Sequence, residues 1–184
     1  LHRSWCGQSD PLDRAPREAP QPVTTLSAIV SAAAAHHLAV FGAFHAAEGD
    51  ALPPGTGTLV MLGPEEPGFW AHLTTEPEWR DGAADPVDRW SARAISGLGA
   101  AFGGTALFPF GGPPYLPFYA WALRTGRAWP SPVTLLVHDR AGLMVSYRGA
   151  IALPVRLDLP PPPPRSPCDT CADKPCRSAC PAGA

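Results

Sequence analysis

The chain has 184 residues, room for one ordinary domain, and its 14 Lys+Arg against 16 Asp+Glu leave a formal charge of −2. That balance argues against a nucleic-acid protein built on a basic face. The 25 prolines and 18 glycines predict heavy loop content, while Leu, Ile, Val and Phe at 37 of 184, with six tryptophans and low net charge, predict one modest core.

Residues 1–23 carry Pro11, Pro16, Pro20 and Pro22 among charges and no periodic apolar pattern, so they read as a disordered leader. They hold no hydrophobic block of the kind a secretory signal needs, and no stretch of the chain reaches 18 consecutive apolar residues. A cytoplasmic protein with no membrane partner is the expectation.

Residues 24–159 are expected to form an α/β (α+β) domain, a mixed sheet covered by helices. Thr24 or Thr25 caps a helix through Ala35, because Leu26, Ile29, Val30 and Ala33 recur at helical spacing. The short apolar runs 38–44 and 58–62, each bounded by Gly or Pro, suit strands, with Gly42 marking a bulge or a close approach.

Asp85 as N-cap, Pro86 in the first turn and Asp88 at the positive end of the dipole start a helix. Its apolar face reads Val87, Trp90, Ala94, Leu98 and Ala101. Gly103 and Gly104 end it, and 105–108 reads as a strand.

Residues 109–117 hold four prolines and two glycines and are predicted to be a long shaped loop. A short helix over 118–125 closes at Gly126. Residues 133–137 and 143–147 flank a turn-like stretch at 139–142 and predict a hairpin, with 151–153 extending the sheet.

Five consecutive prolines at 160–164 favour a polyproline II strut, so 160–167 is predicted to be a linker. Beyond it, Cys168, Cys171, Cys176 and Cys180 fall within thirteen residues, spaced C-x2-C-x4-C-x3-C with Pro181 next. Four thiolates in so short a segment can wrap only around something compact and positively charged, and a metal centre is the natural occupant.

The bacterial ferredoxin run is C-x2-C-x2-C-x3-C-P, so the second gap here is longer by two residues. The terminal Cys-Pro favours a [4Fe–4S] cluster over zinc, since a tetrahedral zinc knuckle requires no such proline. A disulfide set is disfavoured because nothing marks the chain as secreted, and Cys6 is a bystander in the leader.

The segment CDTCADKPCRSACPAGA stands behind SPVTLLVHDRAGLMVSYRGAIALP, TGTLVMLGPEEPGFW, DPVDRWSARAI and LFPFGGPPYLPFYAWALRTGRAW. Together these resemble the small ferredoxin-like iron–sulfur proteins of proteobacteria, distant relatives of epoxyqueuosine reductase. The resemblance implies an N-terminal α/β region followed by a ferredoxin-type iron–sulfur segment at 168–184.

In the related reductases the N-terminal region holds cobalamin beside the cluster, and an acidic residue supplies a proton during substrate reduction. Cobalamin is therefore a further cofactor that the resemblance implies. That acid matches no single position here, so no catalytic residue is carried over.

Other candidates stand apart from the cysteines. The loop 109–118 offers Tyr115 and Phe118 as flat surfaces, and the loop 63–68 holds Glu65 and Glu66 after a strand. His138 with Asp139 suits proton transfer near neutral pH, and Tyr147 with Arg148 suits a phosphate or propionate. His36, His37, His45 and His72 fit no metal motif.

Two functions follow as expectations. The first is an electron-transfer or reductase-type protein whose cluster serves a redox partner protein or a small-molecule substrate. The second is a non-enzymatic corrinoid or small-molecule binding domain whose cysteine tail is a structural zinc clip.

Overall fold

The computed structural model describes residues 24–179. The expected leader, Cys6 and Cys180 lie outside the described residues. Along the chain come α1 (Leu26–Ala34), β1 (Leu38–His45), β2 (Thr58–Pro64), α2 (Phe69–Leu73), α3 (Pro77–Arg80), α4 (Pro86–Ala101), β3 (Thr105–Leu107), α5 (Phe118–Arg124), β4 (Ala128–Pro130), β5 (Leu136–His138), β6 (Gly149–Leu153) and α6 (Cys176–Ala179).

Four strands form the main sheet in the order β1-β2-β6-β3, and every pairing in it is antiparallel. This corrects the expected mixed sheet. β2 and β3 do run parallel to each other, as strands joined through helices on one side tend to. The last strand, β6, is inserted between them and turns both contacts antiparallel.

Both faces of this sheet are covered. On one, Val60, Leu62, Ile151 and Leu153 pack against Ile29 and Ala33 of α1, Phe69 and Leu73 of α2, and Trp90, Ala94, Ile95 and Leu98 of α4. On the other, Leu59, Met61, Ala150 and Ala152 meet Phe118, Trp121 and Ala122 of α5, together with Ala128 and Tyr147. Burial on both sides explains why β2 and β6 read as continuous apolar runs rather than alternating ones.

α1 is capped as its sequence predicts, the Thr25 hydroxyl accepting from the Ala28 N–H at 3.2 Å. α4 begins at Pro86, but Asp85 is left-handed (φ 53°) and makes no capping bond. The turn before α4 is held instead by Arg89, which pairs with Asp81 at 2.7 Å and donates to the Ala84 carbonyl. Trp90, Ala94 and Leu98 face the core as expected, whereas Ala101 is exposed.

β1 contains a bulge. Val40 pairs with Leu62 and Gly42 with Met61, so Phe41 is the extra residue. The insertion shifts the alternation of faces by one, placing Phe41 and Phe44, three apart, on the same side of the sheet. Gly42 carries φ 138°, and a Cβ there would stand 2.6 Å from Thr125, so both of its expected roles are realised.

The predicted hairpin is displaced. β5 pairs with β4, not with residues 143–147, which form no strand. A tight turn does exist, with His138 and Gly142 exchanging backbone hydrogen bonds, but Leu143 and Met144 beyond it stay exposed and pair with no strand. Ala128 and Val137 are both buried, and Arg127 pairs with Asp139, which selects β4 as the partner.

After β6 the chain is held to the domain. The buried Thr58 hydroxyl donates to the Val155 carbonyl at 2.9 Å and accepts from the Leu157 N–H at 3.0 Å. Leu157 is buried, and Pro160, Pro161 and Pro162 line a crevice with Leu26, Val40 and Thr125. The first part of the proline run thus lies along the surface of the domain. No helix among the described residues is long and apolar enough to cross a membrane.

Candidate metal centre and the neighbouring cleft

The cysteine segment starts with a 3-10 turn, Pro167–Asp169, built by a reciprocal cap. The Ser166 hydroxyl accepts from the Cys168 N–H, and the Asp169 carboxylate accepts from the Ser166 N–H, both at 3.2 Å. This turn rests against β5, so Cys168 is tied to the domain. Lys174, at φ 41°, reverses the chain ahead of α6, which Cys176 opens.

Cys168, Cys171 and Cys176 are free thiols. Each is half-buried, while residues 169–170 and 172–175 between them are exposed. The three cysteines are thus the less exposed residues of an otherwise solvated segment. Among the described residues, no three His, Cys, Asp or Glu side chains gather closely enough to hold a metal ion.

The donor set fits a cluster by its chemistry. Soft thiolates suit an iron–sulfur centre or zinc, and no histidine lies within the segment. Ligand sulfurs need not be gathered beforehand, because in small cysteine sites metal binding and local folding are one process.

The remaining candidates separate in space. His138 is fully buried, its Nε2 donating to the Phe41 carbonyl at 2.8 Å and its Nδ1 accepting from the N–H groups of Arg140 and Ala141. Those partners assign a neutral ring with its proton on Nε2. Burial pushes its pKa below the ordinary value. Both nitrogens are occupied, so His138 joins the two sheets and is not placed to shuttle protons.

Asp139 pairs with Arg127 and lies 3.2 Å from His138 Nδ1. Tyr147 and Arg148 diverge. The Tyr147 phenol enters the α5 side of the core, where burial raises its pKa, while Arg148 pairs with Asp88 of α4 at 3.3 Å. Successive extended residues point to opposite faces, so the two cannot clamp one phosphate.

His37 and His72 lie with tilted rings, centroids 4.8 Å apart, and His45 Nε2 bonds the Leu157 carbonyl at 2.8 Å. In the loop 109–118, Phe118 is buried, Tyr115 is exposed, and Phe108 stacks on Phe110.

Glu65 and Glu66 do reach a cavity. They line a cleft of about 320 Å³ together with Ala39, Phe41, Pro64, Arg140, Ala141 and Met144. The size suits a small ligand and is too small to enclose a corrinoid. Next to it, Gly63 lets β2 pack closely on its neighbours: a Cβ there would fall 2.3 Å from the Phe41 ring and 2.4 Å from the Ser146 carbonyl. Arg140, Phe41 and Met144 escape sequence reasoning, because the turn that brings residues 140–144 over β1 is long-range.

No family model, curated protein or solved structure matches the chain.

Proposed function

We propose that this chain is an iron–sulfur electron carrier of ferredoxin type, holding one [4Fe–4S] cluster through Cys168, Cys171, Cys176 and Cys180. The observation that carries the reading is the C-x2-C-x4-C-x3-C-P spacing. It is supported by the partial burial of the three described cysteines in a segment whose intervening residues are exposed.

Such a cluster supplies single-electron transfer at a potential set by burial and by hydrogen bonds to its sulfurs. The capped turn at Ser166 would hold Cys168 against β5, and Lys174 and Arg177 would place positive charge beside the anionic thiolates. A redox partner protein or a small oxidant would meet the cluster on the exposed side of this segment.

Anaerobic purification with iron, sulfide and zinc counts tests the reading, alongside a visible spectrum before and after dithionite. The expected result is a broad band near about 400 nm that bleaches on reduction, and its loss in Cys176→Ser. Colourless protein with stoichiometric zinc and no iron would replace it with a structural zinc clip.

A further inference from the structure

The cleft beside β1 combines an apolar floor with a charged rim. Ala39 and Phe41, 4% and 5% exposed, lie at its base, and Met144, 87% exposed, forms a flexible thioether wall. On the rim, Arg140 is paired with Glu65 at 3.3 Å. Glu66 is exposed and has no ion pair among the described residues.

Two carboxylates against one guanidinium leave this rim with an excess negative charge. An anion entering it would meet Glu66 with no cation paired to it, and a neutral ligand would use only the floor. A cation with a flat body uses both.

We propose that this cleft binds an organic cation, its flat apolar body seated on Phe41 and flanked by Met144, and its protonated amine or amidine held at Glu66. Arg140 and Ala141 belong to the turn that leaves β5, the strand on which the Cys168 turn rests. The proposal does not depend on what the cysteines hold.

The chain has only two methionines, Met61 and Met144. One is fully buried in the core and the other stands in the cleft wall. Full-length protein labelled with ¹³C in the methionine methyls therefore gives one reporter of binding and one of the fold.

Naphthylmethylammonium is titrated near pH 7 against naphthoate and naphthylmethanol. The ammonium is expected to move the Met144 signal saturably while Met61 stays still, and naphthoate to bind about tenfold more weakly. Glu66→Gln should weaken the ammonium roughly fivefold and leave the alcohol unchanged, with an unmoved Met61 signal certifying the fold.

Equal affinity for ammonium and naphthoate, an unaffected Glu66→Gln variant, or a Met144 signal that never shifts would overturn the proposal. Iron and zinc counts on the same sample judge the cluster separately.

Discussion

His138 Nε2 donates to the Phe41 carbonyl oxygen at 2.8 Å, and Phe41 is the bulged residue of β1. A bulge leaves its extra residue outside the strand ladder. The imidazole therefore satisfies a carbonyl that the main sheet does not, and it does so from the second sheet.

His138→Ala should orphan that carbonyl and cost about 1–3 kcal/mol in denaturant unfolding. Wild-type stability should also depend on pH. With the native pKa held below 6.5, the unfolded chain takes up a proton that the folded ring refuses. Stability is full above about pH 6.5 and falls as pH drops through the window down to the lowered native value, at most about 1.4 kcal/mol per pH unit. His138→Gln, whose amide can still donate to Phe41, should flatten that slope while keeping more stability than His138→Ala. Parallel pH dependence in wild type and His138→Gln would contradict the assignment.

Gly63→Ala tests the packing beneath the cleft. The added methyl meets the Phe41 ring and the Ser146 backbone carbonyl at well under van der Waals distance, and the carbonyl cannot rotate away. Overpacking of this kind costs about 1–3 kcal/mol. Thermal melts should show that loss, and the Met144 methyl signal should shift as Phe41 is displaced. A variant as stable as wild type would mean that β1 and the 145–147 segment are looser than the packing implies.

The elements were legible where local chemistry decides them. Thr25, the alanines and the Ile29/Ala33 spacing mark α1; Pro86, Trp90, Ala94 and Leu98 mark α4; Gly126 closes α5. Pairing was not legible. The run 139–142 has turn composition, yet β5 chose β4: Arg127 and Asp139 join them, Ala128 and Val137 are buried there, and Leu143 and Met144 stay exposed. Nor does β6 carry any mark of its place between β2 and β3, since an all-apolar strand suits a central position in many topologies. Glu65 and Glu66 were visible as loop carboxylates, but their partner Arg140 is 75 residues away and comes close only through the tertiary fold.

Thr58→Val should reveal how firmly the chain after β6 is held. Valine keeps the shape but removes both bonds of the Thr58 hydroxyl, leaving the Leu157 N–H and the Val155 carbonyl without it. The Leu157 N–H is buried, so the loss should be about 1–3 kcal/mol. Amide hydrogen exchange should speed up selectively at Leu157. Slow exchange there in the variant would indicate that the hydrophobic anchoring of Leu157 is enough by itself.

Tyr147→Phe should run the other way. The Tyr147 hydroxyl is buried with no hydrogen-bond partner among the described residues, and burial raises its pKa, so it stays protonated with nothing to donate to. The ring itself contributes, packing edge-on to Phe41 at 6.1 Å, and phenylalanine retains that contact. Removing an unsatisfied buried hydroxyl relieves its desolvation cost, so the variant should match or exceed wild-type stability by up to about 1 kcal/mol. A loss larger than about 1 kcal/mol would show that the hydroxyl makes a stabilising hydrogen bond in solution.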